Sequence, residues 1–223
     1  KPSSAASDVY KRQGFKNGTD GAVGISIDAI KSASSEHSFL SVTKQGISAI
    51  VETTGNDKCH VILRGANSGP NYSAENVRKT AESLRKANLP ARVMVDCSHG
   101  NSEKKHENQV RVAEGISAQL SAADENAWTL FGVMLESNLE EGKQSIPASG
   151  PAGLKYGQSI TDACINWDTT VKVLETLRAG VRARREKTPR SANPVVPVNT
   201  QEMPNALNQG AFNDDVLATL GKN

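Results

Sequence analysis

Short unbroken apolar runs alternate with segments of helical period along most of this chain, a pattern that few folds accommodate. The runs lie at Phe39 to Val42, Cys59 to Leu63, Arg92 to Val95 and Leu130 to Leu135. A run of this length without polar alternation is what a parallel strand covered on both faces requires. Between the runs, Val23, Ile27 and Ile30 share one helical face. Ser73 reads as an N-cap for a helix carrying Val77, Ala81 and Leu84, which stops at Asn88-Leu89-Pro90. Val112, Ile116 and Leu120 form a further helical stripe, and Asp168 caps a last helix with Val171, Leu174, Leu177 and Val181 on its inner face. Gln45 to Lys58 reads as a short crossover, either a brief helix or an extra hairpin. The alternation predicts an α/β fold with a parallel sheet.

Composition narrows the class. The chain has 223 residues, enough for a sizeable core, and its 26 Lys and Arg against 24 Asp and Glu are too balanced for a nucleic-acid surface. Aromatics at 4% argue against stacking platforms for single strands. The apolar runs fall well short of the ~20 residues a membrane-spanning helix needs. Cys59, Cys97 and Cys164 stand far apart with no CxxC pair, which reads as a reduced, cytoplasmic protein whose cysteines are small buried hydrophobes. The sequons at Asn17 and Asn71 carry no weight without an apolar leader. Residues 1–13 have no apolar period, and residues 188–223, rich in Pro, Asn and Ser, read as a disordered tail. The ordered unit is expected over residues 14–187.

Each strand-like run ends in a polar or charged residue: Lys16, Lys44, Arg64, His99 and Glu136. In a βα barrel all strands point the same way, so their carboxyl ends converge on one mouth. Five ends would deliver two lysines, an arginine, a histidine and a glutamate there, a basic pocket able to hold a metal. Eight βα units need ~250 residues, and five fit here. The fold is therefore either an open doubly wound sheet or part of a longer barrel.

GFKNGTDG from Gly14, FLSVTK from Phe39, HVILRG from His60, GPNYS from Gly69, DCSHGNS from Asp96, GVMLESNL from Gly132 and SITDACINW from Ser159 resemble one family in order and spacing. It is the microbial type I 3-deoxy-D-arabino-heptulosonate 7-phosphate (DAHP) synthase; LKYG from Leu154 and RARRE from Arg182 look like its fungal members. The resemblance implies a (β/α)8 TIM barrel, incomplete here, with about the last five βα units present. It implies a transferase that condenses phosphoenolpyruvate with D-erythrose 4-phosphate, releases phosphate, and opens the shikimate pathway to aromatic amino acids. Residues 1–13, which do not match the family, look like a cloning or adaptor scar.

Residue by residue, Lys16 and Arg64 match the family's phosphoenolpyruvate-binding lysine and arginine. An ammonium and a planar guanidinium fork suit a substrate bearing phosphate and carboxylate. His99, Glu136 and Asp162 match three metal ligands, with His99 and Asp162 also expected at the reacting groups. Imidazole plus carboxylates suits Mn, Fe, Co or Zn. The family's fourth ligand, a cysteine, and further basic residues belong to a part with no counterpart here, so weak or no catalysis is expected of this chain alone. Phe39, Ser41 and Val51 fall where the family binds an aromatic amino acid inhibitor, and Ser41 leans toward phenylalanine. Family members are homo-oligomers.

Asp96 reads as a buried strand aspartate orienting the His99 loop, His60 as a packed residue, and Arg182 to Lys187 as solvated cations complementing a helix dipole. Two other readings compete. The related octulosonate phosphate synthase is opposed by KNGTD and ITDACINW. A catalytically dead fragment acting only as an interaction or assembly module is favoured by the absent ligand cysteine.

Overall fold

A computed structural model of the chain describes residues 13–187. The expected leader, apart from Gln13, and the expected tail lie outside the described residues. In chain order the elements begin β1 (Gly14–Lys16), α1 (Gly24–Ser34), β2 (His37–Val42), β3 (Ser48–Thr53), β4 (His60–Leu63) and α2 (Ala74–Lys86). They continue with β5 (Val93–Asp96), α3 (Asn108–Ala122), α4 (Glu125–Thr129), β6 (Leu130–Met134) and α5 (Trp167–Lys187). No helix among the described residues is long and apolar enough to cross a membrane.

Strands β1, β4, β5 and β6 hydrogen-bond in that order into one parallel sheet, as the alternation demands. Register settles what each face carries. Lys16 pairs with Ile62, Ile62 with Met94, and Met94 with Gly132. Side chains alternate along a strand, so Lys16, Ile62, Met94 and Asp96 share one face of the sheet. The other face presents Val61, Leu63, Val93 and Val95 to Ile27 and Ile30 of α1, Val77 and Leu84 of α2, and Val112, Ile116 and Leu120 of α3. All three cysteines are buried and free, and burial pushes the Cys97 thiol up to about 12.

The run Phe39 to Val42 is not part of this sheet. It lies in β2, which pairs antiparallel with β3 in a separate hairpin. The turn chemistry explains the difference. Thr43 and Ile47 close the loop through Thr43 N–H donating to Ile47 O at 2.9 Å, and Gly46 takes φ +81° within it. Such a glycine turns a chain straight back on itself, where a parallel partner needs a long crossover. Lys44 consequently sits in an exposed turn and not at a sheet end. The next position along the sheet is taken by a parallel bridge between Ser137 and Ile165, a stretch with no long apolar run to announce it.

The last helix also departs from expectation. Asn166, not Asp168, caps it, accepting the Thr169 N–H at 2.9 Å. Its buried residues are Thr170, Val173 and Gly180; Leu177 and Val181 pack against the core as expected, while Val171 and Leu174 are exposed. Nor is Arg184 merely solvated: one guanidinium nitrogen donates to the carbonyls of Ala127 and Leu130, and the group stacks 4.4 Å over Trp128. Ser73 does cap α2, accepting from Asn76 N–H.

The carboxyl ends of β4 and β5 meet backbone to backbone, with Gly100 N–H donating to Arg64 O at 3.0 Å. Gly65 makes this approach possible. It adopts φ +80°, and a Cβ there would lie 2.4 Å from both Asn101 N and Gly100 C. Gly65→Ala should therefore destabilise the chain by about 3 kcal/mol or more, from left-handed strain plus backbone overlap. Gly46→Ala, also at positive φ but with nothing within 4 Å, should cost only about 1 kcal/mol. Urea midpoints of the two variants test this; equal losses would show that the close approach is not what Gly65 serves.

Candidate functional site

At the carboxyl ends of β1 and β5 the polar face of the sheet converges on one carboxylate. Asp96, the last residue of β5, is 1% exposed. Its Oδ1 accepts the Ser98 N–H at 3.0 Å and the Ser98 hydroxyl at 2.5 Å. Its Oδ2 lies 2.7 Å from Lys16 Nζ and 2.9 Å from His99 Nδ1. Burial alone would push this carboxyl up. The donors Lys16 and Ser98 and the Lys16 charge outweigh it, and hold the group below its ordinary value of 3.8. A buried charge has to be answered in this way or given up.

This arrangement decides the state of His99. The Ser98 hydroxyl proton is committed to Asp96, so Ser98 Oγ, 2.7 Å from His99 Nδ1, acts as acceptor. Nδ1 then carries a proton, which leaves Nε2 as the ring nitrogen able to offer a lone pair. His99 stands at φ +52°, an uncommon conformation for a non-glycine residue. The tight turn after β5 holds it there, with Lys104 N–H and the Ser102 hydroxyl both donating to His99 O.

The lone pair faces two carboxylates. One ligand atom each from His99, Glu136 and Asp162 lies within 4.8 Å of the others, and His99 Nε2 is 3.8 Å from Asp162 Oδ2. An ion with bonds of about 2.0–2.2 Å spans donor separations up to ~4.4 Å, so modest side-chain adjustment closes the set. An imidazole oriented by a buried carboxylate, plus two carboxylates, is a chemically fitting cation site with open positions. Glu136 is positioned by Gln109, buried on α3, whose side-chain amide donates to Glu136 O and accepts Glu136 N–H. Asp162 is brought alongside because Ile165 N–H donates to Glu136 O at 2.9 Å. Nearby, burial and the Glu136 charge push the Cys164 thiol up, so it stands as a neutral thiol.

Three asparagines tie the strand ends together. Asn17 Oδ1 accepts Arg64 N–H at 2.8 Å and the Asn71 amide at 3.2 Å. Asn71 Oδ1 accepts Gly65 N–H, and Asn101 donates to the carbonyls of Leu63 and Asp96. The backbone carrying Arg64 is thereby fixed, and Arg64 Nε is buried with no hydrogen-bond partner among the described residues. A buried guanidinium donor without an acceptor is suited to an incoming anion.

Of the residues singled out from sequence, Lys16, His99, Glu136 and Asp162 are brought together, with Arg64 at the neighbouring strand end. Lys44 is not. Phe39, Ser41 and Val51 lie on the separate hairpin, where Phe39 pairs with Val51 and Ser41 with Ala49 on one face. His60 is packed edge-on against Phe131, ring centroids 4.7 Å apart. Sequence reasoning missed Asn17, Asn71, Asn101, Ser98 and Gln109. Asn17, Asn71, Ser98 and Asn101 stand inside the recognised motifs, which was the available signal; Gln109 offered none.

The sign of the Asp96 effect is testable. Its folded value lies below its unfolded one, so its stabilisation is present above pH 3.8 and is lost as pH falls through the lower folded value. Asp96→Asn should lower stability at pH 7 by about 2 kcal/mol, less than for a fully buried pair because Lys16 stays partly exposed. It should also flatten the acid limb below pH 4. Urea midpoints from pH 2 to 7 decide it; parallel wild-type and variant curves would contradict the assignment.

Comparison with known proteins bears on the same residues. The family model described as the DAHP synthetase I family matches residues 3–175, a span that takes in residues 3–13, which sequence reading had set outside the family. The phenylalanine-inhibited phospho-2-dehydro-3-deoxyheptonate aldolase of Saccharomyces cerevisiae is 52% identical over 178 residues, which is 78% of this chain and 47% of that protein. The tyrosine-inhibited aldolase of Schizosaccharomyces pombe is 50% identical over 175 residues, 78% of this chain and 46% of its own length. The solved structure of the aldolase from Francisella tularensis SCHU S4 superposes with a TM-score of 0.70 at 49% identity, over 77% of this chain and 48% of that one. The chain thus spans about half the length of the curated relatives it matches. With a matching family model across most of its length and a parallel sheet shared with a solved member, the chain belongs to the DAHP synthetase I family.

Proposed function

We propose that this chain supplies the carboxyl-terminal part of the catalytic face of a (β/α)8 barrel that condenses phosphoenolpyruvate with D-erythrose 4-phosphate. The reading is carried by one observation: residues far apart in sequence come together at the carboxyl ends of parallel strands, Lys16 and His99 on Asp96, and His99 in turn with Glu136 and Asp162. Active sites of such barrels are built there. The names of the relatives and the shared motifs support the substrates.

In this reading Lys16 and Arg64 hold the phosphate and carboxylate of phosphoenolpyruvate, the ammonium as a point charge and the guanidinium as a fork. Carbon three of phosphoenolpyruvate bonds to the aldehyde carbon of the tetrose, water adds at carbon two, and the carbon two–phosphate link breaks to release inorganic phosphate. A divalent ion held by His99, Glu136 and Asp162 (Mn, Fe, Co or Zn) supplies Lewis-acid polarisation of the aldehyde when bound. Asp96 keeps the His99 proton on Nδ1, and Asp162 stands beside Nε2, within reach of the second substrate or a water. An aromatic amino acid inhibitor would engage the hairpin face bearing Phe39, Ser41 and Val51. Relatives at about 50% identity include both phenylalanine- and tyrosine-inhibited proteins, so Ser41 alone supports the lean toward phenylalanine.

A specific observation favours a second reading, an assembly module. Leu40, Val42 and Ile50 form an exposed apolar strip on the other hairpin face, with Leu40 81% exposed. Patches of this kind mark contact surfaces, and the family's homo-oligomers would use one. Light scattering separates the readings: a monomer that binds metal and phosphoenolpyruvate supports the catalytic one alone.

Calorimetric titration with Mn2+ tests the site directly. The chain should bind Mn2+, His99→Ala should weaken it at least about tenfold, and unchanged affinity would remove the cation site. A steady-state phosphate-release assay with both substrates should give near-background turnover for this chain alone, because Lys16 and Arg64 leave a doubly anionic substrate under-neutralised. Turnover comparable with that of the whole relatives would refute this expectation.

A further inference from the structure

One oxygen of one buried carboxylate serves two groups with different tasks. Asp96 Oδ2 accepts from Lys16 Nζ at 2.7 Å and faces His99 Nδ1 at 2.9 Å. Its other oxygen accepts the N–H and hydroxyl of Ser98, so Lys16 and His99 both draw on Oδ2, with Ser98 Oγ as the second acceptor facing Nδ1 at 2.7 Å. Asp96 itself is fixed: it is fully buried, and its own carbonyl accepts from Asn101 at 2.8 Å. Lys16, by contrast, is 35% exposed through its side chain and ends a strand, so its ammonium has somewhere to go.

We propose that Asp96 is a relay between the two subsites: an anion that draws Lys16 off Oδ2 leaves that oxygen to His99 and makes Nε2 a stronger cation ligand, and the converse holds. The inference rests on the functional reading above, and makes Asp96 a positioning residue for both halves of it. The physics is that of second-shell carboxylates. A carboxylate freed of a competing cation accepts the Nδ1 proton more strongly, which raises electron density at Nε2. In the opposite direction, a cation on Nε2 polarises the imidazole, strengthens its claim on Oδ2, and loosens Lys16 for an anion. Coupling between two binding sites is reciprocal by necessity, and relays of this kind are typically worth fivefold or more in affinity. Direct attraction between a bound anion and a bound cation would also couple the sites, but it would not pass through Asp96.

The test is a pair of measurements on the full chain. Mn2+ affinity is measured by calorimetry with and without saturating phosphoenolpyruvate, for the wild type, Lys16→Met, Asp96→Asn and the double variant. The relay expects phosphoenolpyruvate to tighten Mn2+ about fivefold or more in the wild type and less than about twofold in Asp96→Asn. It also expects Lys16→Met alone to tighten Mn2+, and this gain to vanish in the Asp96→Asn background. Coupling or a Lys16→Met gain that survives Asp96→Asn overturns it in favour of through-space attraction. Should Asp96→Asn fail to fold by circular dichroism, the second measurement decides. The metal-free chain is followed by the 15N resonances of the His99 ring during phosphoenolpyruvate titration. At equal occupancy they should shift in the wild type and stay in place in Lys16→Met; equal shifts in both overturn the relay. If Mn2+ and phosphoenolpyruvate bind as expected while these effects are absent, the site reading stands and only the relay falls. If neither binds, both fall.

Discussion

A negative charge buried at the end of β5 organises the site. Asp96 cannot remain ionised in that position without donors, and the fold delivers Lys16 from β1 and the Ser98–His99 turn from its own strand end. The lysine and histidine are thus held where they are by the electrostatic need of a third residue. Everything chemically interesting about them follows: the lysine is tethered but releasable, and the histidine has one nitrogen occupied and the other available.

Around that centre the backbone is unusually well tied. The asparagine set of Asn17, Asn71 and Asn101 satisfies amides and carbonyls that strand ends otherwise leave open, and Gln109 performs the same service for Glu136. Sites perform when their supporting residues leave little play in the side chains that meet substrate. Here the support is almost wholly neutral amide, which binds backbone without adding charge to a region already holding three carboxylates and a lysine.

Much of this was legible in advance, and the misses are instructive. The parallel strands at His60, Val93 and Leu130 announced themselves because a strand covered on both faces must be continuously apolar, while the short strand at Gly14 was marked only by Lys16 at its end and the motif around it. Phe39 to Val42 carried the same short-run signature yet folds into a hairpin, since so short a run does not specify its partner and the Thr43–Ile47 turn around Gly46 does. The last helix was read correctly at Leu177 and Val181 but misfaced over its first turns, for a related reason. Its buried stripe uses Thr170 and Gly180, small residues that let it lie close to α3, while Val171 and Leu174 point outward. Apolarity predicts burial only on average, and a close helix contact selects for size first.

Sequence alone determined which residues carry charge, ligand atoms and family motifs, because those are properties of side chains and their order along the chain. It also determined that strands and helices alternate, because hydrophobic period is local. Only the tertiary structure decided which strand ends are neighbours, that Ile165 and not Phe39 extends the sheet beside Glu136, and that Lys16 and His99 share a single oxygen of Asp96. Such contacts join positions eighty residues apart. No local pattern encodes them, for they arise when several elements pack at once and a buried charge finds its only available donors.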